Sequence, residues 1–100
     1  MKVAIGAEKD DENSQVSAKG ARAPFFLIFE DGKLVKKIKN PFIIGGGGAG
    51  FSVAEMLSDE RVDKVVCGAF GPNMTGALDG KGIKYEQKSG VSVKEALGQT

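Results

Sequence analysis

Apolar residues along the chain form short runs that are separated by polar and glycine-rich segments. The runs Val3 to Ile5 and Pro24 to Glu30 have the length and continuity of strands covered on both faces. Asp31-Gly32 follows the second run and is a two-residue hairpin signal, so Lys33 to Lys39 is predicted to return as an antiparallel strand. The first part of the chain is therefore predicted to be a β-meander.

The second half of the chain has helical spacing between its strands. An apolar stripe at i, i+3, i+4 and i+7 predicts a one-sided helix over Phe51 to Asp59, and a second helix begins near Pro72. Ser92 and Glu95 form a capping box that opens a short last helix. The remaining strands are predicted at Val62 to Cys67 and Ile83 to Glu86.

This element order predicts one α/β domain over residues 1–100, with helices on both faces of a five-stranded mixed sheet. The hairpin makes strand 2 antiparallel to strand 3, and if strand 1 pairs with strand 2, then strands 1 and 3 run the same way. With right-handed crossovers, the strand order 3-2-1-4-5 satisfies these constraints and is the order we expect. Lys33 to Lys39 lies at one edge, where its lysines prevent edge-to-edge pairing or, alternatively, form a basic patch. Glu8 to Gly20 is polar and is predicted to be a long exposed loop.

Composition narrows the classes of function. The net charge of +1 gives the whole molecule no attraction to nucleic acid or acidic membranes, so we expect neither as a partner. The sequence has no histidine, which excludes histidine-based catalysis and imidazole ligation of metals. A single cysteine, Cys67, excludes an internal disulfide, and with no secretory leader predicted at Lys2 to Ala7 we expect a reducing, cytoplasmic location.

The glycine run Gly45-Gly46-Gly47-Gly48-Ala49-Gly50 lies between an apolar segment and the first predicted helix. Glycine is kept where the backbone takes a positive φ or approaches another group closely, and a helix N-terminus presents N–H groups that favour an anion. No Gly-Lys-Ser/Thr follows, so the run is not a P-loop. The run predicts an anion-binding loop, and the alternative is a flexible connection.

The predicted topology brings several candidate residues to one edge of the sheet. The ends of strands 1, 3 and 4 and the start of strand 2 meet there, near the switch point where open α/β sheets bind ligands. That edge collects Gly6, Arg22, Gly45 to Gly50 and Gly68 to Asn73.

Motifs throughout the chain resemble the dinitrogenase iron-molybdenum cofactor biosynthesis family of nitrogenase accessory factors. The resemblance covers nearly the whole sequence, although Gly20-Ala21 stands where the family tends to have Phe-Gly. It implies a ribonuclease-H-like three-layer fold and a non-catalytic role, since several members carry anionic metal–sulfur clusters. The motifs include Arg22-Ala23-Pro24-Phe25-Phe26, Asn40-Pro41, Gly46-Gly47-Gly48-Ala49-Gly50, Gly71-Pro72-Asn73 and Glu95-Ala96-Leu97.

The resemblance implies an iron–sulfur or molybdenum–sulfur cluster as cofactor and cofactor donor or acceptor proteins as partners. Arg22 would supply a charge and directed donors, and Cys67 is either a thiolate ligand or a small buried hydrophobe. Arg22 itself is alternatively a surface cap on strand 2. The expected cofactor-binding residues are Arg22, Gly45, Gly46, Gly47, Gly48, Gly50, Gly68 and Asn73.

Two other functions compete with that of a carrier. A nuclease of ribonuclease H type needs carboxylates on strand 1, and Val3-Ala4-Ile5 has none. A regulatory or scaffold module would instead bind a protein partner through Phe51 and Phe70. We therefore expect a binding protein and not an enzyme.

Overall fold

The computed structural model describes residues 1–44 and 47–99, and the elements follow the predicted order. No helix within these residues is long and apolar enough to cross a membrane. A 3-10 turn at Gly20–Arg22 precedes the second strand. The strands and helices are β1 Lys2–Ala7, β2 Phe25–Glu30, β3 Lys33–Lys39, α1 Ala49–Asp59, β4 Lys64–Cys67, α2 Pro72–Gly80, β5 Lys84–Gln87 and α3 Val93–Gly98.

The sheet has the order β3-β2-β1-β4-β5, which confirms the predicted topology. β2 is antiparallel to both β1 and β3, whereas β1, β4 and β5 run parallel to one another. Asp31 (φ 51°) and Gly32 (φ 83°) both take left-handed backbone, as a two-residue primed hairpin turn requires.

Apolar side chains on the two faces of the sheet form two separate cores. Helices α1 and α2 cover one face, where Val53 and Leu57 of α1 pack with Phe26 and Ile28 of β2. Helix α3 covers the other face, where Val93 packs with Ile5 and Leu27 among others. Because alternate residues of β2 enter opposite cores, its continuous apolar sequence follows from burial on both faces.

The edge strands are β3 and β5, as predicted. The lysines of β3 are exposed, and Leu34 and Ile38 are the only half-buried residues of this strand. Exposed lysines along a strand discourage pairing with the edge of another chain.

The segment between β1 and β2 is less exposed than the sequence predicted. Val16 is buried in the core on the α3 side, and Ser14, Ser17 and Gly20 are buried as well. The Val16 N–H donates to the Val91 carbonyl (3.0 Å), and Val16 also forms a bridge with Ala7. Val16 therefore anchors this polar segment, so the prediction of an exposed loop was wrong for residues 14, 16, 17 and 20.

Candidate functional site

Two helix N-termini and a 3-10 turn meet at the sheet edge where β1, β3 and β4 end and β2 begins. The strand register places Ala7 beside Phe25 and Phe25 beside Lys39, so these strand ends are adjacent. β1, β3 and β4 each lead into a connecting segment at this edge, and a crevice between such segments is where open α/β sheets bind ligands.

Helix α1 begins without a side-chain cap. Its N-cap, Gly48, has φ 94°, a left-handed conformation that residues other than glycine rarely adopt. The first intrahelical hydrogen bond runs from the Ser52 N–H to the Gly48 carbonyl (3.1 Å). The N–H groups of residues 49–51 therefore have no carbonyl acceptor within the helix. The helix dipole adds partial positive charge at the same place.

Helix α2 presents a second uncapped N-terminus close to the first. Gly71 is its N-cap and Pro72 its first residue, and its first intrahelical bond runs from the Thr75 N–H to the Gly71 carbonyl (3.1 Å). A Cβ atom on Gly50 would lie 2.7 Å from the Met74 nitrogen, which shows how closely the first turns of α1 and α2 approach. Gly50 is therefore required for the two positive helix ends to converge.

Arg22 brings a permanent charge to these helix ends. The side chain is half-buried, and its Nη1 donates to the carbonyls of Phe42 (3.3 Å) and Ile43 (3.4 Å). These long hydrogen bonds hold the guanidinium beside the segment that leads into the glycine run. Arg22 is thus more than a surface cap on β2.

The convergence encloses a cavity of about 280 Å³. A smaller cavity of about 120 Å³ adjoins it, because Arg22, Gly48 and Ala49 line both. We call the two together the anion cradle. The larger cavity is lined by Lys19, Gly20, Ala21, Arg22, Gly48, Ala49, Gly50, Ala69, Gly71, Pro72, Asn73 and Met74.

The structure brings Arg22, Gly48, Gly50 and Asn73 to the anion cradle. Gly47 is exposed and lines only the smaller cavity. Gly45 and Gly46 lie outside the described residues.

Gly68 lies beside this edge but does not offer a donor to a ligand. Its N–H donates to the Ser17 carbonyl (2.7 Å), and a Cβ atom there would lie 2.7 Å from that carbonyl oxygen. The glycine allows the segment around Ser17 to pack against the end of β4. The expected role of the Gly68 N–H in binding is therefore corrected to a packing role.

Cys67 is fully buried in the core on the α1 and α2 side. Burial raises the pKa of its thiol to about 12, although a backbone hydrogen bond with Gly6 opposes this. A buried thiol with this pKa stays protonated at neutral pH, whereas a metal ligand must be a thiolate. The environment of Cys67 is that of the small buried hydrophobe.

Sequence reasoning missed two residues of this region. Lys19 lines the larger cavity and forms a long, exposed ion pair with Glu8 (3.5 Å), but nothing in its polar sequence context signalled a site. Asn40 is buried, and its Nδ2 donates to the carbonyls of Ala21 and Ala23 (2.8 Å each). Asn40 therefore fixes the turn that carries Arg22, and its signal was the Asn40-Pro41 motif.

The cradle is lined by hydrogen-bond donors. They are backbone N–H groups, the guanidinium of Arg22 and the ammonium group of Lys19, and donors of these kinds can bind anionic oxygen or sulfur. Among the described residues, no group of three or more histidine, cysteine, aspartate or glutamate side chains is placed to hold a metal ion.

A larger cavity of about 520 Å³ lies along β5, away from the cradle. Three of its four charged lining residues have side-chain partners: Glu86 pairs with Lys64, and also with Lys88, and Asp79 accepts a hydrogen bond from the Tyr85 hydroxyl (3.3 Å). Volume alone does not make it the better candidate, because most of its charged side chains already have a partner.

Comparison with known proteins gives similar solved structures and a matching family profile. The structure is similar to the apo form of the orange protein from Desulfovibrio gigas, with a TM-score of 0.91 and 25% identity over 98% of this chain and 84% of that one. It is also similar to a putative NifB protein from Thermotoga assigned to the DUF35 family, with a TM-score of 0.83 and 29% identity over 97% of this chain and 84% of that one. No curated protein sequence matches the chain. Because the family profile described as dinitrogenase iron-molybdenum cofactor matches residues 1–100, the chain belongs to that family.

Proposed function

We propose that this protein is a non-catalytic carrier that binds a small anionic metal–sulfur cluster in the anion cradle. The observation that carries the proposal is the convergence of two uncapped helix N-termini and Arg22 on one cavity. Membership in the family and the likeness to the orange protein support a role related to metal–sulfur cofactors.

The donors of the cradle match the chemistry of such a cargo. Sulfido and oxo ligands carry the negative charge of a cluster at its surface and accept hydrogen bonds. The N–H groups of the first turns of α1 and α2, the guanidinium of Arg22 and the amide of Asn73 all donate. Local donors suffice here even though the net charge of the molecule is only +1. Binding is therefore expected to be non-covalent, with the metal atoms inside the cargo and no ligand from Cys67.

The proposal is tested by titration with tetrathiomolybdate under anaerobic conditions. The backbone amide signals of Gly48, Gly50 and Asn73 should show the largest NMR shifts. Arg22→Ala should weaken binding by roughly 1.5–3 kcal/mol, because a charge-assisted hydrogen bond is lost. Lys37→Ala removes an equal charge from the exposed edge strand β3 and serves as the control that should bind like the parent protein. Equal affinity of the Arg22→Ala variant and the parent would contradict the proposal.

A second candidate is a module that binds a protein partner and carries no cluster. Phe51 supports it, because this large apolar residue is 54% exposed in the first turn of α1, next to Gly50 of the cradle. Phe70 supports it less, because its half-buried ring packs on Tyr85 with 5.3 Å between the ring centroids. Unchanged tetrathiomolybdate affinity in a Phe51→Ser variant is expected if the cluster-carrier function is correct.

A further inference from the structure

An apolar groove of about 400 Å³ runs between the segment after β3 and one face of α1. Its floor is formed by Phe42 and Met56, which are half-buried and pack against the core on the α1 side. The groove is separate from the larger cavity of the cradle, with which it shares no lining residue. Its lining residues are Pro41, Phe42, Ser52, Glu55, Met56, Asp59 and Glu60.

The wall opposite α1 is held by buried hydrogen bonds. Asn40 is 2% exposed, and its side-chain oxygen accepts from the Phe42 N–H (2.9 Å) while its nitrogen donates to the Ala21 and Ala23 carbonyls. Because these bonds fix the backbone on both sides of Pro41, the groove is present without a ligand. A preformed groove loses little conformational entropy when a partner binds.

The rim of the groove on α1 is acidic. Glu55 and Asp59 are both exposed and lie one helical turn apart, and neither forms an ion pair within the part of the chain that the structure describes. Glu60 is paired with Lys36 (2.7 Å), so its charge is already compensated. The groove therefore combines an apolar floor with a rim that carries two uncompensated negative charges.

We propose that this groove binds a segment of another protein in which an apolar side chain is flanked by lysine or arginine. The apolar side chain would cover Phe42 and Met56, and the basic residues would face Glu55 and Asp59. Charge complementarity across the rim favours this partner and speeds its association. Nucleic acid and anionic membranes carry the same sign of charge as the rim and are repelled by it. The groove borders the smaller cavity of the cradle at Phe42 and Ser52. The proposal does not depend on cluster binding, because the apolar floor and the carboxylates of Glu55 and Asp59 are not donors of the cradle.

The test uses a short fluorescein-labelled peptide with a central Leu-Leu pair flanked by lysines. Fluorescence anisotropy should show saturable binding at low ionic strength, and the NMR shifts caused by the unlabelled peptide should centre on Phe42, Ser52 and Met56. Replacing the leucines by serine, or the lysines by glutamate, should abolish binding. Both the apolar floor and the acidic rim are thereby examined.

The double variant Glu55→Lys/Asp59→Lys should lower the affinity for the lysine–leucine peptide about tenfold or more. Asp10→Lys/Glu30→Lys is the matched control, since it changes the net charge equally at two exposed carboxylates outside the groove. Circular dichroism verifies that both variants are folded. The control should bind like the parent protein, apart from a small loss from the altered net charge.

Any one of four results would overturn the proposal. The first two are that the parent protein does not bind the lysine–leucine peptide, or that the serine peptide binds equally well. The other two are that both double variants lose affinity equally, or that the NMR shifts lie outside the groove. Lys33 to Lys39 of a second copy has similar chemistry. A dimer in sedimentation velocity that Glu55→Lys/Asp59→Lys dissociates would therefore identify a second copy as the occupant and exclude the proposed partner.

Discussion

Burial keeps the thiol of Cys67, the single cysteine of the chain, protonated and away from solvent. Cys67 lies at the end of β4, next to the candidate site, but its side chain is fully buried against Gly6. A Cβ atom at Gly6 would lie 2.9 Å from the Cys67 sulfur, so the glycine leaves room for the thiol within the sheet. The raised pKa of Cys67, about 12, follows from this loss of solvent.

We expect Cys67→Ala to bind tetrathiomolybdate with the affinity of the parent protein. The variant should lose roughly 1 kcal/mol of stability from the space left by the sulfur. In the parent protein, the thiol should react with Ellman's reagent only after unfolding. Loss of tetrathiomolybdate binding in a folded Cys67→Ala variant would instead show that the thiolate is a ligand.

Arg22 shows how a charge is positioned by its neighbours. Asn40 holds the carbonyls on both sides of Arg22, and Arg22 in turn donates to the carbonyls of Phe42 and Ile43. The guanidinium is therefore fixed by the same hydrogen bonds that fix the segment before the glycine run. Fixing a donor before the ligand arrives lowers the entropic cost of binding.

At the scale of elements, the close approach of α1 and α2 creates the cradle. Each helix contributes partial positive charge at its N-terminus, and neither N-terminus has a side-chain cap to satisfy its N–H groups. Bringing two such ends together is unfavourable unless an anion or water compensates them. Gly50 permits the approach, because any side chain there would meet the backbone of Met74.

Two glycine substitutions distinguish the effect of Gly50 on the approach of α1 and α2 from the general effect of glycine on helix propensity. Gly50→Ala should lower the free energy of unfolding by roughly 1–3 kcal/mol, because the Cβ atom forces the two helices apart. Gly76 lies in α2, and a Cβ atom there would contact nothing within 4 Å. Gly76→Ala should therefore raise stability by about 0.5–1 kcal/mol through helix propensity alone.

The same pair of variants tests the cradle. Gly50→Ala should also weaken tetrathiomolybdate binding, whereas Gly76→Ala should leave it unchanged. Urea unfolding and anaerobic titration measure the two effects. A Gly50→Ala variant that is as stable as Gly76→Ala and binds equally well would show that the helix ends do not form the site.

At the scale of the whole molecule, the fold could be predicted from the sequence because its signals agree. The continuous apolar run of β2, the Asp31-Gly32 turn and the one-sided stripe of α1 are all consistent with one arrangement, and with right-handed crossovers they favour the strand order that the structure has. The structure moves several predicted boundaries by one or two residues; for example, β5 is Lys84–Gln87 and not Ile83 to Glu86.

The site could be predicted only in part. Glycine and arginine at the ends of strands indicated the sheet edge where the structure brings Arg22, Gly48 and Gly50 together, but the sequence does not show which N–H groups are already used. Gly68 donates to Ser17, and Val16 anchors the segment that carries Lys19; both contacts join residues far apart in the chain. Such long-range contacts leave no local pattern in the sequence.

The ion pairs along β5 give the molecule a defined response to acid. Lys64 and Lys88 donate hydrogen bonds to Glu86 and lower the pKa of its carboxyl from 4.5 to about 2. In the unfolded chain this carboxyl takes up its proton near pH 4.5, whereas in the folded chain it stays ionised. The unfolded state then binds more protons, so the stability contributed by Glu86 is present above this pH and is lost as the pH falls toward about 2.

Glu86→Gln should therefore reduce the difference in stability between neutral and acidic pH. We expect the urea midpoints of the parent protein to fall more steeply than those of the variant between about pH 4.5 and about pH 2. Glu12→Gln, at a carboxyl without an ion pair in the described residues, is the control and should behave like the parent protein. Parallel pH profiles of the parent and Glu86→Gln would contradict this role of Glu86.

We propose that the two helix N-termini and Arg22 together form the binding site for an anionic metal–sulfur cargo. The most direct measurement is an anomalous difference map at the molybdenum edge from crystals grown anaerobically with tetrathiomolybdate. We expect one strong peak in the anion cradle, between Arg22, Gly48 and Asn73, with sulfur atoms directed at the N–H groups of the first turns of α1 and α2. A peak among the lysines of β3, or no peak at the cradle with molybdenum bound elsewhere, would contradict it.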